Sequence, residues 1–587
     1  MSKFFKTTCA AFLGTLVALC VVVFIFFSII GSLSSSLTSQ ESPKVSVAPN
    51  SVLKIDFAEM ISEQDSENPL AMFTSPGSSG KSIGILKVIK SLEIAATDPS
   101  IKFVYMNCDN VNIESISTLE ELRAALVRFQ SSGKAIIAYA NNYSSPGYYL
   151  ASVADKVIMN EYGSSTILGL GTNMVFLKDF LDKLGVEVQL IRHGKYKSAG
   201  EMYINNNISP ANREQNQEMI DAIWETWSSE IAQSREISVE DFNKWVDNLE
   251  IEDAEDMKEY NLVDELMQQN EVEDYICTLA DASKIEDVKM VSLSNYASAK
   301  IKQNFKVKDK IAILYANGEI VMGNDSENIS SARYAKMISD IRKDSTIKAV
   351  LFRVNSPGGS AHAAEIIRNE LTLLNEVKPI IVSYGGYAAS GGYWISAGCD
   401  KIFTNNTTLT GSIGVFSMIP NTQKIMKNKL GINSVSIKSN KHADMMGMSR
   451  PLDNAEVAYM QSQVEKIYTD FTQIVADGRG MSVERVDELA QGRVWAGADA
   501  LQNGLADERG GIYEALNYTA NVAALTDYRI VEYPTPKSQM EKLMEGLSGS
   551  SNNNVQGPVS IFKETYERML LNKETGVMAR VPYIYLF

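Results

Sequence analysis

Hydrophobic positions along the chain change rhythm twice. Cys9 to Ile30 is a run of 22 residues without a charge, enough at about 1.5 Å per helical residue to cross a bilayer core. Lys3 and Lys6 precede it and the first acidic residue is Glu41. This bias predicts a cytoplasmic stretch over 1–7, a retained transmembrane anchor over 8–31 and an exported body. A cleaved signal peptide with a small-residue site near Gly31-Ser32-Leu33-Ser34 is the competing expectation, but the run exceeds an h-region of roughly 7–15 residues. Residues 32–50 are Ser-rich and polar, a tether. Thereafter short apolar strands alternate with amphipathic helices, which predicts an α/β fold on a mainly parallel sheet.

The alternation is written twice. Ile101-Lys102-Phe103-Val104-Tyr105-Met106 matches Ile347-Lys348-Ala349-Val350-Leu351-Phe352, and Tyr148-Tyr149-Leu150-Ala151 matches Tyr393-Trp394-Ile395-Ser396. Ser209-Pro210 echoes Arg450-Pro451, and Leu262-Val263-Asp264-Glu265 echoes Leu505-Ala506-Asp507-Glu508. From Ile101 onward the offset stays between 241 (451 − 210) and 246 (347 − 101), which identifies a tandem duplication. The opening strands around Ile55 and Ile313 lie 258 apart (313 − 55). The first copy therefore carries about 12 extra residues early, assigned to the Pro- and Gly-containing stretch Ser66 to Ser82. Expected boundaries are 51–297 for the first repeat, 298–534 for the second and 535–587 for a tail. That tail holds a flexible Ser/Asn link, a charged helix from Ile561 to Leu571 and an apolar end.

Composition narrows the chemistry. A net charge of −16 with 21% charged residues argues against nucleic acid, whose phosphates need clustered Lys and Arg. Five cysteines without close spacing, and His193, His362 and His442 far apart, predict buried thiols and no metal site. No cofactor motif is present.

Two small-residue turns carry the candidate chemistry. Asn355-Ser356-Pro357-Gly358-Gly359-Ser360 follows one strand and Tyr387-Ala388-Ala389-Ser390-Gly391-Gly392 follows the next. Ser390, at a strand-to-helix turn, is a candidate nucleophile. One N–H from Gly358 or Gly359 and one from Gly391 are candidate oxyanion donors. In the first copy Ser145 aligns with Ser390, but Pro146 follows it without an N–H, and the glycine turn has become Asp109-Asn110-Val111-Asn112-Ile113. The base is sought elsewhere, because no histidine lies between His362 and His442. Lys195-Tyr196-Lys197-Ser198-Ala199 in the first copy offers lysines, and the second copy has Ala443 or His442 at the position of Lys197. To serve as a base a lysine must be desolvated, which lowers its pKa.

These three motifs resemble the signal peptide peptidase A family, also called protease IV, in its long, duplicated, membrane-anchored form; the resemblance runs from the anchor to about residue 530. It implies a tandem repeat of Clp protease/crotonase-like domains and a Ser/Lys dyad with Ser390 as nucleophile and Lys197 as general base. Shorter relatives hold both residues in one repeat about 52 apart, the interval from Ser145 to Lys197 (197 − 145 = 52), which favours Lys197 over Lys195. It further implies Ser412, in Leu409-Thr410-Gly411-Ser412, as the hydroxyl orienting the lysine, where the first copy has Ile167. The expected protein is an endopeptidase of the bacterial inner membrane with its body in the periplasm, degrading cleaved signal peptides and other unfolded chains. It is expected to form a homo-oligomer, with a tetramer favoured. Two other classes stand beside it: a catalytically silent assembly scaffold, and an acyl-CoA enzyme of crotonase type suggested by fold alone. The complementary losses between the copies disfavour the scaffold, and the exported location with a reactive serine disfavours the crotonase.

Overall fold

The computed structural model describes residues 46–67, 80–535 and 578–580. The expected anchor, most of the tether, most of the Ser66–Ser82 stretch and the helix from Ile561 to Leu571 lie outside the described residues. Among the described residues no helix is long and apolar enough to cross a membrane. The described residues from Pro49 onward form one compact unit.

Two sheets, each holding six parallel strands in the same order, make its frame. In the first, Glu265–Leu266, Lys156–Met159, Ile136–Ala140, Ile101–Asn107, Ser51–Ile55 and Met290–Ser292 lie side by side. In the second, Glu508–Arg509, Lys401–Thr404, Ile380–Ala389, Ile347–Ser356, Lys310–Asn317 and Arg529–Tyr533 follow in that order. The duplication read from the sequence therefore extends to topology. The central strands are apolar along nearly their whole length and buried on both faces, as parallel strands covered by helices must be. The two proline-started motifs open helices of equal length, Pro210–Arg235 and Asn454–Arg479, each capped by a side chain, Ser209 and Asp453. Cys108, Cys277 and Cys399 are free and buried, and burial pushes the Cys399 thiol up to about 12.

The repeats interlock through buried charge. Arg353, on strand Ile347–Ser356, donates through Nε to Glu63 Oε2 at 2.6 Å and through Nη2 to Glu121 Oε1 at 2.6 Å. Its Nη1 donates to Ser383 Oγ and Tyr384 O, both at 2.8 Å. Both carboxylates come from the first repeat, and all three charged side chains are 1% exposed. Burial raises the Glu121 pKa, opposed by Arg353. Nearby, Glu120 accepts from Thr407 N–H and Thr407 Oγ, so the first repeat's helix Ile116–Gln130 is fixed against the second sheet. Removing the cation would leave two uncompensated buried carboxylates. Arg353→Leu is expected to lower stability by about 3–5 kcal/mol in urea unfolding, and an unchanged midpoint would show that the network is not a fastening.

Candidate active site

A third sheet, of short strands drawn from both repeats, brings the candidate residues together. Strand Glu187–His193 of the first repeat pairs antiparallel with Val415–Asn421 of the second, His193 opposite Val415. Lys197 follows the first strand by four residues and Ser412 precedes the second by three, so this pairing carries both to the end of strand Ile380–Ala389, where Ser390 stands. Lys197 Nζ lies 2.8 Å from Ser390 Oγ, 2.9 Å from Ser412 Oγ and 3.0 Å from Ser412 O. The contact is made within one chain. Lys197, Ser390 and Ser412 are 2%, 0% and 1% exposed.

Burial sets the electrostatics. The Lys197 amine is held well below the ordinary lysine value, and the sole cause is loss of water. Among the described residues no carboxylate opposes it; the Phe416 ring centre lies 6.0 Å from Nζ. A neutral amine has two N–H donors and one lone pair. When the two oxygens of Ser412 take those donors, the lone pair is free to accept the Ser390 hydroxyl proton.

Backbone geometry fixes the serines. Ser390 has φ 55° and ψ −114°, an uncommon conformation for a residue with a side chain, costing about 1–3 kcal/mol. The small neighbours Ala389 and Gly391 allow the turn, and Ile223 and Met219 of the first repeat pack beneath Ala389. Ser390 N–H donates to Gly411 O at 2.8 Å and is thus occupied. Gly391 begins helix Gly391–Ser396, where an N–H has no acceptor within the helix. Gly358 has φ +100° and its N–H reaches Ser356 Oγ at 3.2 Å. Gly359 has a packing reason to be glycine: a Cβ there would stand 2.0 Å from Ile320 O.

Several residues around the lysine were not legible from motifs. Arg192 Nη1 donates to Lys197 O at 2.7 Å, Gln215 Nε2 to Tyr196 O at 3.0 Å, and Tyr196 N–H to Gln491 O at 2.9 Å. Glu201, 1% exposed, accepts from Arg192, Ser209 and Asn212. Gly492 lies against the lysine stem, where a Cβ would sit 2.5 Å from Lys197 Cβ. Arg192 and Glu201 bound the stretch around Lys197 that the sequence singles out, Arg192 to Glu201, but no spacing signal marked Gln215, Gln491 and Gly492, which come from a helix and a loop further along the chain. The histidines are occupied elsewhere: His193 with Glu465 and Tyr468, His442 with Glu456, and His362 exposed on helix Ala361–Asn375. In the first repeat Ser145 Oγ donates to Thr166 O at 3.3 Å, and Asn141 Nδ2 donates to Asp109 Oδ2 at 2.8 Å, where the second repeat has its glycine turn.

An α/β body holding a strained serine against a desolvated amine has the equipment of a serine hydrolase. The Peptidase family S49 model matches residues 128–283 and 372–526, once in each copy. Protease 4 of Haemophilus influenzae is 33% identical over 517 residues, covering 86% of this chain and 82% of that protein. Protease 4 of Salmonella typhi is 33% identical over 476 residues, with 79% and 76% covered. The chloroplastic serine protease SPPA of Arabidopsis thaliana is 30% identical over 502 residues, with 84% and 73% covered. The chain belongs to peptidase family S49 and is a serine protease.

Gly492 gives a direct check on the lysine's support. Gly492→Ala adds a methyl group where φ is +79° and the stem of Lys197 already stands. Peptidase activity is expected to fall by about a hundredfold or more, since small misplacements at a reacting group have that cost, while circular dichroism stays unchanged. Full activity in that variant would contradict the tight placement.

Proposed function

We propose that Ser390 is the nucleophile and Lys197 the general base of an endopeptidase that cuts extended, unfolded chains, cleaved signal peptides among them, outside the cytoplasm. The observation that carries this reading is the 2.8 Å contact between Lys197 Nζ and Ser390 Oγ, where the described residues place no counter-charge. Ser390 Oγ bonds to the scissile carbonyl carbon as its proton passes to Lys197 Nζ. The oxyanion is received by N–H groups of Gly391 and of Gly358 or Gly359. The C–N bond then breaks, and the leaving amine takes the proton from Lys197. Water enters, gives a proton to the same amine and bonds to the acyl carbon; the ester C–O bond breaks and the proton passes from Lys197 to Ser390 Oγ, restoring both. Ser412 orients the amine through the two oxygens described above. The uncharged run Cys9 to Ile30 and its flanking lysines support a single-pass anchor in a bacterial inner membrane with the body in the periplasm.

A homo-oligomer is part of the same reading, and the duplication supplies its support. Strand Glu187–His193 of repeat one pairs with Val415–Asn421 of repeat two. Shifted by the repeat offset, the counterparts are residues 433–439 (187 + 246) and 170–176 (415 − 245). Both lie outside the strands of the described chain, and they expose Val435, Ile437, Met174 and Val175. Pairing 433–439 of one copy with 170–176 of the next repeats the internal contact between copies. Such a head-to-tail contact closes into a ring when its rotation allows, consistent with the tetramer expected above.

Three measurements test this reading. Ser390→Ala is expected to abolish peptidase activity and fluorophosphonate labelling, and Lys197→Ala to lower the rate by about 10²–10⁴-fold; activity unchanged in either variant would reject the dyad. Because the neutral amine is the working form, the rate should rise with pH as Lys197 loses its proton, with a midpoint well below that of a free lysine. Sedimentation of the full chain should give a multiple of 64.7 kDa, and Ile437→Asp should reduce it to the single-chain mass. A wild-type chain that sediments as a monomer would contradict the assembly.

A further inference from the structure

One face of helix Asn454–Arg479 grips the strand end that leads into Lys197. Gln461, Glu465 and Tyr468 stand at i, i+4 and i+7, which puts them in one row along that helix. Gln461 Nε2 donates to Arg192 O at 3.5 Å, and Glu465 Oε2 lies 2.6 Å from His193 Nδ1. The Tyr468 ring stacks on the His193 ring, with centres 3.7 Å apart. Tyr468 is 6% exposed, and its hydroxyl reaches past that strand end to the turn that follows helix Val483–Leu489. There it donates to Asp487 Oδ1 and accepts from Gln491 Nε2 at 3.2 Å and from Gln491 N–H at 3.4 Å. These bonds use its one proton and both lone pairs. Burial, with the Asp487 carboxylate beside it, pushes the phenol upward, so the hydroxyl keeps its proton at neutral pH.

The turn that Tyr468 holds is bonded to both residues that serve Ser390. Gln491 O accepts from Tyr196 N–H at 2.9 Å, Gly492 N–H donates to Ile413 O at 2.8 Å, and Arg493 O accepts from Ser412 N–H at 2.6 Å. Three successive residues thus link the neighbour of Lys197 to Ser412 and the residue after it. The fit has little slack: a Cβ on Gly194 would stand 2.4 Å from Gln491 C. The first copy shows which part of this is particular to the second. Its helix Pro210–Arg235 carries the same row as Gln217, Asp221 and Trp224, at an offset of 244 (468 − 224). Its Leu249 takes the same left-handed backbone as Gln491, with φ 56° in both. An indole cannot accept a hydrogen bond; Trp224 Nε1 donates to Asn243 instead, and Leu249 is 59% exposed. The turn itself is common to both copies, and the hydroxyl that ties it to the helix belongs to the copy with the serine.

We propose that Tyr468 is a positioning residue for the reaction: its ring holds the strand end before Lys197, its hydroxyl holds the turn bonded to Tyr196 and Ser412, and together they set the spacing between the Lys197 amine and Ser412. The inference rests on the reading of Ser390 and Lys197 given above and adds a residue that touches neither. Tyr468→Phe separates its two contacts, since phenylalanine keeps the stack on His193 and removes the hydroxyl. Gln491 N–H then loses its acceptor, and the turn is free to shift against the helix. Any such shift is passed to Tyr196 and Ser412 through the bonds at Gln491 O and Arg493 O, and to the lysine stem through Gly492, which already stands against it.

The test compares the full chain with and without Tyr468→Phe. Per serine titrated with a fluorophosphonate, kcat for a quenched peptide should fall about tenfold to a hundredfold, the cost of a displacement of about 1 Å at a reacting group, with KM unchanged. Gln491→Ala takes the amide away from the same hydroxyl and should act in the same direction, and the double variant should lose less than the product of the two. A lower melting temperature with kcat per titrated serine unchanged would make Tyr468 a structural residue only and overturn the proposal. Lys197 supplies a readout that needs no turnover. Ser412 and Phe416 face its amine, and among the described residues no carboxylate does. In the Ser390→Ala chain with labelled lysines, Tyr468→Phe should move the NMR titration of Lys197 up toward that of the surface lysines, because a displaced stem admits water to the amine. An unmoved titration would overturn the proposal even where Ser390 and Lys197 prove not to be the catalytic pair.

Discussion

Burial of a lysine amine with no anion beside it among the described residues is the condition on which the rest of this structure depends. An ammonium in water is useless as a base at neutral pH, and pairing it with a carboxylate would hold the proton more tightly. The fold does neither. It surrounds Lys197 with the ring of Phe416, the backbone of Gly492 and two serines, so that desolvation alone favours the uncharged form. The polar contacts that remain match the two donors and one acceptor of a neutral amine.

Duplication supplies what one repeat lacks. The first copy contributes the lysine on a segment held by Arg192, Glu201 and Gln215, while the second contributes the strained serine, the glycine strand and Ser412. Neither half is complete, so the joint between them belongs to the site. Two features make that joint: the antiparallel pair Glu187–His193 with Val415–Asn421, and the buried charges Glu63, Arg353 and Glu121. Arg353 lies on the strand leading to Gly358 and donates to the carbonyl of Tyr384 on the strand leading to Ser390. The same cation therefore ties both turns to the first repeat. In the first copy, Asp109 and Asn141 bond across the place of the glycine turn, and Ile167 fills the position matching Ser412.

Much of this was legible in the residues. The offset between copies gave the repeated frame, and strand order in the two sheets agrees with it. Ser390, Lys197 and Ser412, taken from the family resemblance and their motifs, meet within hydrogen-bond distance. What escaped has a common physical character. Arg353, Glu63 and Glu121 read as ordinary charges in a strand, a bend and a helix, because nothing local distinguishes a buried ion network from a solvated face. Gly492 reads as a turn glycine, and its contact with Lys197 exists only after loops some 295 residues apart (492 − 197) meet. The tail strand Met578–Arg580 has no periodicity over three residues, so its place between Gly358–Ser360 and Val415–Asn421 is a tertiary fact.

The protonation state of Lys197 tests the central claim most directly. With lysines labelled at Nζ and Cε, and Lys197→Arg to assign the signal, NMR titration of the intact Ser390→Ala chain follows this one amine. The account predicts that the Lys197 amine loses its proton at a pH well below that at which the surface lysines lose theirs. A Lys197 signal that titrates together with the surface lysines, near pH 10.4, would contradict it.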